Sequence, residues 1–158
     1  MTTPVPAPDS ATGGPSGDPL VAAADAENAA IFTYGVITAF VAASRRRMVS
    51  DLEAQHRARR DEIAHAITAA GGTPPVAAAG YTMPIDVTGP ESAARIALIA
   101  EEDCATAYRA LLEQADDEAG RRIGVDGLSE SAVRAAAWRV VLKESPVTVA
   151  FPGSPVAG

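Results

Sequence analysis

Residues 71–90 read GGTPPVAAAGYTMPIDVTGP, and this stretch decides the fold. Gly71 and Gly72 end a helix, and Pro74 and Pro75 keep it from resuming. Gly80, Pro84 and Gly89 follow, with no helical period between them. Roughly 17 residues of extended chain reach some 55 Å. The segments on either side read as helices of about 23–28 residues, roughly 35–42 Å long at 1.5 Å per residue. A connection of this reach can run the whole length of a helical bundle.

Before it, a helix is expected from about Met48 to Ala70, on the stripe Val49, Leu52, His56, Ile63, Ile67 and Ala70. Further back, Asp18 and Pro19 make a helix start, a cap followed by proline at the first position. That first helix is expected to run to about Ser44, on Leu20, Ala23, Glu27, Ala30, Ile31, Tyr34, Ile37 and Val41. Arg45, Arg46 and Arg47 fit its end, where cations complement the helix dipole. After the connection, Pro90 opens a third helix, with Thr88 or Gly89 as cap. It is expected to reach about Ala115 on Ala94, Ala97, Glu101, Cys104, Tyr108 and Leu111. Asp116, Asp117 and Glu118 suit the first turn of a fourth, ending near Lys143. Gly120, Gly124 and Gly127 weaken its first half, and Pro146 stops the chain from continuing. The expected organisation is a Pro-, Gly-, Ser- and Thr-rich tail over residues 1–18, a bundle over 19–145 and an irregular tail over 146–158.

Four helices joined by short, long and short connections place helices two and three parallel. That is the connectivity of an all-α, ferritin-like four-helix bundle with one long crossover. Composition agrees: 47% of the 158 residues are hydrophobic but only 4% aromatic, so the apolar content is mostly alanine, which favours close-packed helices. The net charge of −7 argues against general nucleic-acid binding, which wants a basic footprint. The short arginine clusters are flanked by acids and read as a solvated or ion-paired face. Cys104 is the only cysteine, so no intrachain disulfide forms, as suits a reducing cytosol. The N-terminus lacks the basic and apolar regions of a signal peptide. The apolar run from Ala29 to Ala43 is short and interrupted by Thr33, Gly35 and Thr38. A cytoplasmic protein without nucleic-acid or membrane partners is the expectation.

AIFTYGVI in the first helix, HRARRDEI in the second, YTMPIDVTGPESAARIALIAEE across the crossover, AYRALL in the third, and AVRAAAWR and AFPG towards the end resemble an alanine-rich, actinobacterial ferritin-like family of unknown function. The resemblance covers about Leu20 to Gly153. It implies a ferritin-like bundle, dimeric, and brings no established activity or metal ligands.

A di-iron centre in this fold takes a Glu from each of two helices and a Glu-x-x-His from each of the other two. Glu27 and Glu101 stand on the apolar stripes of helices one and three, each seven residues before a tyrosine, Tyr34 and Tyr108. Glu53 and His56 supply Glu-x-x-His on helix two. The corresponding pair on helix four is Glu130 and Val133, so the second histidine is missing. His65, the other histidine of the chain, lies nine residues from His56 and points to the opposite helix face. A two-histidine centre is therefore excluded by count. Glu27, Glu53, His56 and Glu101 remain as a reduced set for a single iron, manganese or zinc ion. Alternatively the set holds no metal: a buried carboxylate can be neutralised by arginine, and Arg57, Arg59, Arg60 and Arg134 are on offer. Glu53 and Arg57 also make an i,i+4 surface pair, and His56 can hydrogen-bond Glu27 or Glu101 in the core.

Tyr34 and Tyr108 read as packing residues at the core edge and Trp138 as an anchor at the bundle's end or a dimer interface. Cys104 reads as a small buried hydrophobe, and nothing in the sequence places His56 beside it. No phosphate-binding glycine loop is present. The expected function is a non-catalytic, homodimeric scaffold or interaction protein with a degenerate metal site and no resident cofactor. The alternatives are a metal-dependent oxidoreductase using the reduced set, and a carrier of a small apolar ligand. Phe32, Val36 and Phe40 recur at four and give helix one a second apolar ridge. A two-fold dimer through that ridge is expected, unless the crossover or the C-terminal tail folds over it.

Overall fold

Asp18 accepts the N–H of Leu20 at 2.9 Å, and Pro19 follows it, so α1 starts where its cap predicts and spans Pro19–Ile37. The computed structural model describes residues 17–155; the expected N-terminal tail up to residue 16, and the end of the C-terminal one from 156 to 158, lie outside the described residues. α2 spans Arg46–Ala69, α3 Pro90–Gln114 and α4 Glu118–Leu142. No strand occurs among the described residues, and the fold is an all-α four-helix bundle.

α1 ends seven residues earlier than expected. The Thr38 hydroxyl donates to the Tyr34 carbonyl at 2.8 Å, and the Ile37 carbonyl accepts the N–H groups of both Phe40 and Val41. The local side-chain bond competes with the helix ladder, and the tightened turn buries Val41. A short 3₁₀ turn at Ala43–Arg45 leads into α2. Arg45, Arg46 and Arg47 therefore stand at the start of α2 and not at the end of α1.

Gly71, at φ 81°, closes α2 in the left-handed region that glycine adopts freely. The crossover then runs extended. Tyr81, Met83, Ile85 and Val87 are partly buried, while Thr82, Pro84, Asp86 and Thr88 between them are exposed. This is the period of two of an extended chain. Met83, Ile85 and Val87 pack against the core, and the Tyr81 ring sits 5.5 Å from that of Phe32. The crossover thus covers part of the ridge expected to carry a dimer, and Phe40 lies beyond the end of α1.

Helix directions follow from which residues meet. Glu27 of α1 meets Tyr108 of α3, and Tyr34 meets Glu101. Later residues of one helix pair with earlier residues of the other, so α1 and α3 are antiparallel. Glu27 near His56 and Gly35 near Glu53 show the same for α1 and α2. α2 and α3 are therefore parallel, as the crossover requires. The glycines of α4 do not break it. A Cβ on Gly127 would lie 2.3 Å from the Tyr108 ring, and one on Gly124 3.1 Å from Leu112 Cβ. Their absent side chains let α4 approach α3.

α1 is long and apolar enough, by length and composition, to cross a bilayer, which differs from the expectation drawn from Ala29–Ala43. In the fold it carries the buried Glu27 and Asn28 and packs against α2 and α3. The C-terminal segment turns back over α3 and α4. Arg139 donates to the Val147 carbonyl at 3.4 Å, Arg109 to that of Pro152 at 3.5 Å, and Glu144 pairs with Arg95 at 3.0 Å.

Two apolar clusters make the core. One holds Tyr34, Ile37, Val49, Ile96 and Trp138; the other holds Ile63, Ile67, Cys104, Tyr108 and Leu111. The four glutamate, histidine and arginine side chains buried at mid-bundle form a polar layer that shares its tyrosines with both clusters.

Candidate functional site: a charged layer in the bundle core

Glu27, His56 and Glu101 are fully buried, and Arg134 nearly so. Each comes from a different helix. His56 lies between the two carboxylates: Nδ1 is 2.7 Å from Glu27 Oε2, and Nε2 is 3.0 Å from Glu101 Oε1. Arg134 Nε donates to Glu101 Oε2 at 2.9 Å. Tyr34 donates to Glu101 Oε1 at 2.6 Å, and Tyr108 donates to Glu27 Oε1. The two Glu-to-Tyr repeats are thus exchanged: each tyrosine serves the glutamate of the other helix. Trp138 Nε1–H completes the chain by donating to Tyr34 Oη at 2.8 Å.

All four carboxylate oxygens are occupied. Asn28 Nδ2, one residue from Glu27, is the one buried side-chain polar atom without a partner among the described residues.

Charge balance explains the arrangement. Two carboxylates stripped of water need positive charge close by. Burial by itself pushes the His56 imidazole down, but its hydrogen bonds to Glu101 and Glu27, and their charges, outweigh burial and lift it to about 9. At neutral pH His56 is an imidazolium donating from both nitrogens. Burial pushes Glu101 up, yet His56, Arg134 and Tyr34 together hold it below the ordinary carboxylate range. Burial loses in the same way at Arg134, whose guanidinium Glu101 keeps charged. Two carboxyl groups face an imidazole and a guanidinium. Burial first, then Glu101, pushes the Tyr34 hydroxyl well up; burial and Glu27 do the same for Tyr108, so both remain neutral donors.

Of the four expected site residues, Glu27, His56 and Glu101 converge. Glu53 does not: it is partly buried and pairs with Arg57 one turn along α2. Among the arginines, Arg134 reaches the cluster, whereas Arg59 pairs with Glu62 and Glu130 and Arg60 with Asp61. His65 is exposed, as its helix position predicts. Tyr34 and Tyr108 are members of the buried network and not edge packing, which corrects their reading, and Trp138 joins that network through Tyr34. Cys104 is buried as expected, but the fold does bring it to His56: ligand atoms of Glu27, His56 and Cys104 lie within 4.8 Å of one another. Burial, then Glu27 and Glu101, push its thiol well up. The signal for Arg134 was present in the sequence, because Gly127, Ser131, Arg134 and Trp138 follow one another at four, three and four along one helix face.

A metal ion here would need lone pairs on the imidazole and the carboxylates. A ligating histidine offers one nitrogen to the metal and donates its other N–H to a neighbour. Both nitrogens of His56 face carboxylates already, and every oxygen of Glu27 and Glu101 has a donor. Arg134 adds a fixed positive charge against Glu101. Burial and the two carboxylates push the Cys104 thiol near Glu27 and His56 well up, so a metal ion there would have to displace its proton. The residues as arranged do not fit a metal centre.

The sequence profile of a family described as a domain of unknown function (DUF4439) matches residues 19–156. None of the curated proteins matches. Among solved structures, a conserved hypothetical protein of Mycobacterium tuberculosis, rv2844, is 39% identical with a TM-score of 0.77, over 82% of this chain and 100% of that one. The bacterioferritin-related protein of Bacteroides fragilis, a dodecameric thioferritin, is 21% identical with a TM-score of 0.67, over 80% of this chain and 83% of that one. At that identity the likeness bears on the fold alone, and it makes the bundle a ferritin-like one.

Proposed function

The chain belongs to the DUF4439 family, and from that premise we propose that it is a ferritin-like scaffold, an interaction protein and not an enzyme, whose centre is filled by protein cations. One observation carries this reading: the His56 ring lies between Glu27 and Glu101 with both nitrogens bonded to carboxylate. Ferritin-like di-iron proteins use carboxylates and histidines to hold metal at mid-bundle. Here an imidazolium and a guanidinium supply the positive charge, Tyr108 takes the remaining Glu27 oxygen, and Tyr34 shares Glu101 Oε1 with His56. A layer satisfied in this way cross-links all four helices and fixes their register. Metal analysis of protein purified without chelators tests it. Well under one metal per chain is expected; about one or more iron, manganese or zinc per chain would overturn the reading in favour of a metal-binding protein.

Self-association belongs to the same proposal. A bundle helix needs one apolar stripe, yet α4 also turns Val125, Val133 and Val140 outward, 48%, 70% and 61% exposed. They lie along one side of the helix, and a homodimer would bury them. That the thioferritin of similar fold is dodecameric supports self-association. Light scattering at micromolar concentration is expected to give twice the 16.1 kDa chain mass. A monomer there sinks the dimer, and Val133→Glu converting dimer to monomer supports the α4 face.

A further inference from the structure

Arg45, Arg46 and Arg47 take the cap and first two positions of α2. A helix N-terminus carries partial positive charge, so cations are unfavourable there. No acid stands in that first turn and no side chain caps it. Arg47 has a distant partner in Asp51 at 3.9 Å, whereas Arg45 and Arg46 form no ion pair among the described residues. Lys143 is similarly placed against expectation. It ends α4 in the left-handed region at φ 59°, is exposed, and also forms no ion pair among the described residues. Breaches of local rules collect at functional sites.

Arg45 and Lys143 line the same cleft, about 390 Å³ in volume, where the end of α1, the start of α3 and the end of α4 meet. Its apolar lining is Val41, Ala94, Trp138, Val141 and Leu142. Its single acid, Glu91, lies 3.6 Å from Arg95. The size is that of a small-molecule site. Its charge is complementary to an anion, and its walls to an aliphatic body.

We propose that this cleft binds an aliphatic carboxylate, its tail against Val141 and Leu142 and its head between Arg45 and Lys143. The site is separate from the charged layer, and the proposal stands whether or not that layer holds metal. Trp138 is the only tryptophan and lies buried in the cleft wall, so its emission reports repacking there. The full chain is titrated with octanoate, octanol and acetate, with Trp138 emission and calorimetry read in parallel. Octanoate is expected to bind saturably and more weakly as salt rises. Octanol and acetate, each lacking one half of the recognition, are expected to bind at least about tenfold more weakly. Arg45→Gln and Lys143→Gly are each expected to weaken octanoate about tenfold; the glycine suits the left-handed backbone, so that variant stays folded. Absence of saturable binding by both readouts overturns the proposal. So does octanol or acetate binding as tightly as octanoate, or a folded double variant that binds as the parent does.

Discussion

Raising the pH should weaken the fold by deprotonating His56 in the charged layer. His56 is held at about 9 in the fold against roughly 6.5 in an unfolded chain. A raised folded value means that the folded state keeps its proton where the unfolded state has lost it. The stabilisation is therefore complete below the unfolded value and disappears as pH climbs through the folded one. A shift of this size corresponds to about 3 kcal/mol below pH 6, roughly 1–2 kcal/mol at pH 8 and about half a kcal/mol at pH 9. Against a total stability of about 5–15 kcal/mol, that loss is large. Cys104 acts in the same direction, since burial raises its thiol, but its effect starts only near the unfolded thiol value of about 8.5. Urea unfolding from pH 6 to 9.5, in the parent and in Cys104→Ala, separates the two. The fall between pH 6.5 and 8.5 belongs to His56 and is expected in both. A stability that is flat to within about half a kcal/mol over that window refutes a protonated His56. Ring-nitrogen NMR at pH 7 gives a second check, with both His56 nitrogens expected to carry protons.

Arg134→Leu leaves Glu101 short of a cation in the core and should cost about 3–5 kcal/mol; adding Glu101→Gln should recover part of it, measured as a double-mutant cycle by urea unfolding. Tyr34→Phe removes a donor to Glu101 and the acceptor of Trp138 Nε1–H. Its expected cost is about 1–3 kcal/mol, with a changed Trp138 emission that a merely apolar contact would not produce. Gly127→Ala drives a methyl into the Tyr108 ring and should lower stability by about 1–3 kcal/mol in thermal unfolding. Lys143→Gly relieves a left-handed residue and should raise stability by about 0.5–1 kcal/mol in the same assay.

The crossover between Gly71 and Pro90 carried the architecture in the sequence, because proline and glycine limit the backbone locally and a long extended link permits only a few helix arrangements. Asp18 and Gly89 cap their helices as read, since capping is also local chemistry, while Asp117, read into a first turn, is the cap of α4. The end of α1 was not legible: it depends on the Thr38 hydroxyl and on Val41 finding the core, and apolar spacing alone reads on through it. The same limit applies to the charged layer. Glu27, His56 and Glu101 stand on apolar stripes and could be picked out one by one, but a stripe says only that a residue faces inward. Which carboxylate each tyrosine serves, that Arg134 and not Arg57 reaches Glu101, and that Glu53 turns to Arg57 all depend on helix rotation and separation. Those are set by packing. Gly124 and Gly127 bring α4 close enough to α3 for Arg134 to span the gap, and hydrogen bonds end within about 3 Å. Helix faces and the crossover belonged to the sequence by itself, because they rest on neighbours in the chain. The occupant of the bundle's centre was decided only by tertiary structure, because it rests on contacts between helices far apart in the chain, where a displacement of about an ångström separates a hydrogen bond from none.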